Sequence, residues 1–148
     1  MSVSRHAATR ARSGARRALM QALYQWQMAG HPWQDVYQQF AADDGFAGIE
    51  QEYFRKGLME ITEGRAALDE ELARHGDIPP ERLDPVERGI LYVGLWELMR
   101  RVDVPYRVVI NEAVQLARRF GGTDSHKFVN AVLDRASMVH RAPERGAA

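Results

Sequence analysis

The residues best equipped for chemistry stand together near the C-terminal end of the chain: Asp124, Ser125, His126 and Lys127 are consecutive. These are the residue types of hydrolase, metal and phosphate sites. As a Ser–His–Asp triad they fail on geometry. Side chains one and two positions apart do not face each other on a helix, whereas a triad needs groups converging from different places. The stretch also lacks the strand-turn-helix setting of a nucleophile elbow. It follows "FGG" (120–122) and precedes the helical repeat Val129, Val132, Leu133, Ala136, so it reads as a helix start. Asp124 or Ser125 is the expected cap, an interaction of about 1 kcal/mol. Capping leaves Lys127 unexplained. A helix N-terminus presents N–H groups and a positive partial charge to a phosphate, and Lys127 adds a point charge. Phe128, in the first turn, either joins the core beside Val132 or offers a ring for a base to stack on. His126 alone is more often a surface residue than a ligand.

The rest of the composition narrows the chemistry. The 148 residues contain no Cys, and none of the five His lies four positions from another. A thiolate site is thereby excluded, no structural zinc site is expected, and no cofactor is expected. No apolar run reaches the length of a membrane span, and the N-terminus lacks the apolar stretch of a secretory signal. A cytoplasmic protein with no membrane partner is the expectation. The net charge of zero hides a segregation. Arg5, Arg10, Arg12, Arg16 and Arg17 precede the first acid, Asp35, while thirteen of the twenty Asp and Glu fall between Asp43 and Glu87. A basic end and an acidic middle suggest two kinds of partner.

These residues must be positioned by helices, because no stretch alternates as a strand. Residues 1–12 read as a flexible basic arm, without periodicity up to about Thr9. From Ser13 the apolar positions Ala15, Leu19, Ala22, Leu23 and Trp26 share a helix face that Gly30 and Pro32 end. Trp33, Val36, Tyr37 and Phe40 mark a short second helix, and "DDGFAG" (43–48) reads as a loop. Phe54, Leu58 and Ile61 anchor a third, and Leu68 and Leu72 continue the pattern after a break at Gly64. Asp84, Pro85 and Glu87 form the sharpest start signal: a cap, a first-turn proline and a capping-box acid. Ile90, Leu91, Leu95 and Leu98 follow as the buried face. Val109, Ile110, Ala113, Leu116, Ala117 and Phe120 mark the next helix, ended by Gly121 and Gly122. The prediction is an all-α fold of about seven helices, with a single domain over 13–140 and a flexible tail over 141–148.

Three stretches together carry a resemblance: "ALYQWQ" (22–27), "DVPYRVVINEAVQLARRFGG" (103–122) and "DSHKFVNAVLDR" (124–135). With "VERGILYVGLWEL" (86–98) they resemble the NusB family of bacterial transcription antitermination factors, from about Arg12 to Val139. The resemblance implies two packed three-helix bundles and a non-enzymatic role. It implies binding of boxA-type single-stranded RNA in nascent transcripts, including those of ribosomal RNA operons. It implies pairing with NusE, also a small-subunit ribosomal protein, within an elongation complex of RNA polymerase and other Nus factors. Some members of the family self-associate, so a homodimer is a further implied state. Carried onto this sequence, the RNA-binding residues are Arg10, Arg12, Arg16, Arg17, Tyr24, Asp124, Lys127 and Phe128, with Arg16 the best match to the family's arginine at the start of the first helix. Glu87 and Tyr24 match positions on the partner-facing side. Relative to the family's dense arginine run, Ser13 and Gly14 interrupt the arm here.

Two other function classes compete. A NusB-like domain also precedes the catalytic domain of some RNA cytosine methyltransferases. That chemistry needs a nucleophilic Cys and a Gly-rich loop after a strand, whereas this chain has no Cys and its "FGG" follows a helix. A protein-binding adaptor without RNA affinity of its own is the other class, and an RNA-binding measurement with and without NusE separates it from the first.

Overall fold

The computed structural model describes residues 2–146, with side chains from Arg5 onward. It contains seven α-helices and two short 3-10 turns, with no strand among the described residues. The chain divides at Glu63/Gly64 into two compact units, the break that Gly64 marks in the sequence.

The first unit is a three-helix arrangement of α1 (Ser2–Ala29), α2 (Trp33–Ala41) and α3 (Gln51–Glu63), each packing on the other two. Ala15, Leu19, Met20, Ala22 and Leu23 form the buried stripe of α1 against Tyr53, Phe54, Leu58 and Ile61 of α3. The "DDGFAG" segment is a 3-10 turn over Asp44–Gly48, capped by Asp43 through Gly45 N. It inserts Phe46 edge-on to both Tyr37 and Phe54, with ring centroids 5.9 and 5.7 Å apart. Edge-to-face pairs of this kind add to plain burial.

Two expectations at the chain's ends are corrected. Of the arm expected over residues 1–12, residues 2–12 are part of α1, which begins at Ser2; Met1 lies outside the described residues. Ala7, Ala8 and Ala11 interleaved with Arg5, Arg10 and Arg12 are strong helix formers, and propensity carries the helix where no apolar periodicity signals it. At the other end, the tail expected to be flexible over 141–148 is fastened as far as Arg145, and residues 147–148 lie outside the described residues. Arg141 is buried and donates to the carbonyls of Glu97, Leu98, Arg101 and Val104. The first three of these belong to the last turn of α5 and its cap; Glu97 O also accepts from Arg101 N and Arg101 O from Val104 N, both at 2.9 Å, while helix-end carbonyls such as Leu98 O otherwise run short of donors. Glu144 accepts from Tyr106 N at 2.7 Å, at the start of α6, and from Arg141 Nη1 at 2.6 Å. Arg145 reaches Asp134 Oδ1 at 2.9 Å and Ser137 Oγ at 2.8 Å.

The second unit is built around α5 (Pro85–Arg100), buried continuously from Gly89 to Leu98. It packs with α6 (Tyr106–Phe120) and α7 (Ser125–His140) as a three-helix core, and α4 (Arg65–Gly76) lies on α5 and α7. Asp84 caps α5 as expected, accepting from Val86 N at 2.8 Å, with Pro85 in the first turn. α4 is tied to α5 by a polar triangle. Tyr92 Oη donates to Asp69 Oδ1 at 2.6 Å, and Arg88 donates to both Tyr92 Oη and Asp69 Oδ2 at 2.8 Å.

Candidate nucleic-acid interface

The arginines of the first unit sort by helix face. Arg12 turns toward α3 and donates to both oxygens of Glu50, Nε–Oε1 3.0 Å and Nη2–Oε2 2.9 Å, with its guanidinium 4.3 Å from the Tyr53 ring centroid. Arg16, one turn on, is only 4% exposed and lies 5.9 Å from the same ring. Both therefore hold α1 against the start of α3. Gly14, between them, explains the interrupted arginine run. A Cβ there would stand 2.9 Å from Ile49 Cγ2, two residues before α3, so a side chain at position 14 would force Ile49 to shift. Nearby, Glu50 N donates to Ala11 O at 2.9 Å.

Arg10, Arg17 and Tyr24 are spaced by seven residues, nearly two full turns, and so share the other face of α1. Both arginines are exposed, and no ion pair involves either among the described residues. Tyr24 is 41% exposed. Arg17 also edges a concavity of about 310 Å³ lined by Ala18, Gln21, Gln39, Phe40 and Asp43. The outcome is an exposed stripe of two cations and an aromatic ring, beside a groove whose walls are amide, aromatic and, at Asp43, acidic. Phosphate contact and base stacking need those group types.

In the second unit the start of α7 differs from the expected cap. Asp124 takes a left-handed conformation, φ 67°, and no side chain caps the helix. The Ser125 hydroxyl instead donates to Glu87 Oε2 at 2.6 Å, across to the first turn of α5. Glu87 is consequently half-buried and accepts from Ser125, while its backbone N–H completes the Asp84 cap at 3.4 Å. Gly121 makes this contact fit. With φ −86° it is not in the left-handed region, but a Cβ there would stand 2.7 Å from both Ser125 Oγ and Ala117 O. The glycine expected as a helix-ending conformer is required for space. Asp124 Oδ1 lies 3.4 Å from Lys127 Nζ, with the side chains 67% and 72% exposed. An exposed pair of that kind is weak and leaves Lys127 available. Phe128 is half-buried, its Cζ 3.6 Å from a Cβ built on Gly76 of α4. One edge of the ring is packed and the other reaches solvent.

The model of the NusB family matches residues 13–138. The chain belongs to the NusB family. The transcription antitermination protein NusB of Pseudomonas entomophila strain L48 is 50% identical over 133 residues, covering 90% of this chain and 80% of that protein. That of Halorhodospira halophila strain DSM 244 / SL1 is 50% identical over 137 residues, covering 91% and 88%. Among solved structures, T. maritima NusB is similar at a TM-score of 0.78 and 27% identity, over 92% of this chain and 96% of that one. A NusB crystallised with NusE and dsRNA matches at a TM-score of 0.72 and 26% identity, over 90% and 98%.

The family match spans "SHKFVNAVLD" (125–134), and the geometry accounts for individual residues within it. Ser125 serves the α5–α7 contact, Val129, Val132 and Leu133 are core, and Lys127 is the exposed cation of that turn. Sequence reasoning missed Glu50 and Tyr53, which hold Arg12, and missed the Ser125–Glu87 bond. Both Arg12–Glu50 and Ser125–Glu87 span 38 residues, and neither leaves a local pattern.

Proposed function

We propose that this chain is a non-enzymatic transcription antitermination factor that binds boxA-type RNA together with NusE in the cytoplasm, as part of an elongation complex that also contains RNA polymerase and other Nus factors. The observation that carries this reading is the likeness, over nine-tenths of the chain, to a NusB assembled with NusE and RNA. The exposed Arg10–Arg17–Tyr24 stripe adds the chemistry that such a role requires. In this reading Arg10, Arg17 and Lys127 contact phosphates, Tyr24 and the open edge of Phe128 stack on bases, and Asp124 tunes Lys127. Arg12 and Arg16 are positioning residues that present the stripe through Glu50 and Tyr53. Glu87, held by Ser125, belongs to the partner-facing side, where an acidic surface suits a basic ribosomal protein.

The test is fluorescence anisotropy with a boxA-type RNA, single-stranded and as a duplex, with and without NusE. Saturable binding of the single strand that NusE tightens is the expected result. Binding only in the presence of NusE would make the chain an adaptor, and preference for the duplex would overturn the single-strand reading.

A further inference from the structure

A cluster on the second unit has no part in the RNA reading. Glu71 and His75 stand one turn apart on α4, and His140 comes from the last turn of α7. All three converge on one point. His140 Nε2 lies 2.6 Å and His75 Nε2 3.2 Å from the same oxygen, Glu71 Oε1, and the three ligand-type atoms lie within 4.8 Å of one another. The two rings meet nearly edge-to-face, centroids 6.5 Å apart at 76°. Glu71 and His75 are buried, while the His140 side chain is 22% exposed.

We propose that Glu71, His75 and His140 form a binding site for one divalent transition-metal ion of the zinc class, clamping α4 to α7. The donor set is two imidazole nitrogens and one carboxylate oxygen, a combination that suits zinc, cobalt or nickel and not the oxygen-seeking magnesium or calcium. A tetrahedral zinc ion with ligands at about 2.0–2.1 Å sets them about 3.3 Å apart; the His75–Glu71 contact at 3.2 Å already matches, and the His140–Glu71 contact at 2.6 Å has to open to reach it, a side-chain adjustment that the partly exposed His140 can make. Each imidazole binds through a neutral Nε2, with its proton on Nδ1. Solvent reaches the exposed edge of His140, so water supplies the fourth ligand.

The surroundings fix the ligands in place. Arg74 Nη1 donates to Glu71 Oε2 at 2.5 Å, orienting the carboxylate while leaving Oε1 to the ion; its side chain is 60% exposed, so its charge is screened. Arg135 Nε of α7 donates to His75 O at 2.7 Å and locks the end of α4 against α7. Both helices are held independently of the metal, so the three donors are largely preorganised. The absence of paired histidines in the sequence argued against such a site. The pair that matters is Glu71 with His75, and the third ligand is 65 positions further along.

The experiment uses the full chain, stripped of metal, titrated with ZnCl₂ by calorimetry and followed by thermal melting. One ion per chain and a melting temperature raised by several degrees at saturation are expected. His140→Ala, at a partly exposed position, should fold, lose the thermal shift and bind more than about 100-fold more weakly, beyond the loss seen when a mere supporting group is removed. Glu71→Gln should do the same. His31→Ala with His126→Ala, which removes two histidines outside the cluster, should change nothing. Equal zinc affinity in His140→Ala and the parent chain, or no saturable binding, overturns the proposal. Should the variants misfold, the parent chain loaded with Co²⁺ decides: a tetrahedral visible spectrum supports the site, and the spectrum of the hydrated ion sinks it.

Discussion

Arg12 and Arg17 show why residue type alone does not assign a role. Both are arginines of one helix, five positions apart, and a helix of 3.6 residues per turn sends them to different faces. Arg12 forms a bidentate pair with Glu50 above the Tyr53 ring; Arg17 stands exposed. Opposite phenotypes follow. Arg17→Ala should weaken RNA binding several-fold and leave urea stability within about 0.5 kcal/mol, the usual range for a surface change. Arg12→Ala should cost about 1–2 kcal/mol of stability, the combined scale of a part-buried ion pair and a cation–π contact. Equal loss of stability in both variants would dismiss the division of labour. The sequence nominated four arginines, and the resemblance put Arg16 first; Arg16 is buried instead, because the sorting depends on Glu50 and Tyr53, remote in the chain.

At the scale of elements, the helices were legible because their apolar positions repeat with helical period. Asp84–Pro85 announced α5, and Gly30 with Pro32 closed α1. The first turns of α1 and the turn after α7 were not legible. One is helical by propensity without an apolar face, and the other is ordered by polar bonds to distant backbone. That second case carries a prediction. Arg141→Met keeps the bulk but takes a side-chain donor from four carbonyls around the end of α5, of which Glu97 O and Arg101 O keep a backbone donor. Breaking a buried charged network of this kind typically costs about 3–5 kcal/mol, so a large drop in the chemical-denaturation midpoint is expected. A drop under 1 kcal/mol would mean that water satisfies those carbonyls as well as the guanidinium does. The α4–α5 contact has its own signature. Burial, reinforced by the hydrogen bond to Asp69, pushes the Tyr92 hydroxyl up to about 12. The folded value lies above the unfolded value of about 10, so its contribution is fully present below pH 10 and is lost as pH rises through 12. A shift of that size corresponds to about 2–3 kcal/mol. Stability measured from pH 9 to 12 should fall by up to that amount, and Tyr92→Phe should flatten the fall. A parallel fall in Tyr92→Phe would place its cause elsewhere.

For the whole molecule, segregated charge makes salt the natural probe. Each phosphate contact on single-stranded RNA contributes about −0.7 to the slope of log K against log salt. Three cations, Arg10, Arg17 and Lys127, should give a slope of about −2. Deleting residues 1–10 removes Arg10 while sparing Arg12, so the slope should flatten by about 0.7 to 1.4, according to whether Arg5 also contributes. An unchanged slope would move the electrostatic contact off the start of α1. The family was legible in the sequence because its stretches are long and ordered. The division at Gly64 was legible too, but the polar ties within each unit were not, since a contact 38 or more residues apart leaves no trace in local composition.

The anchoring of α5 by Arg141 has a consequence for synthesis. Chains emerge from the ribosome N-terminus first, and their domains tend to fold in that order. The first unit's helices, all within residues 2–63, are complete before any of α5 is translated. Helix α5 ends at Arg100, yet the side chain that closes its far end lies 41 codons later, and the carboxylate that secures the start of α6 lies later still, at Glu144. Until those codons have been read, the nascent second unit lacks the side-chain anchor at the end of its central helix. It should be protected from protease only when the exit tunnel has released the last turn, so a ribosome stalled with Arg141 still inside should display a digestible second half behind a resistant first.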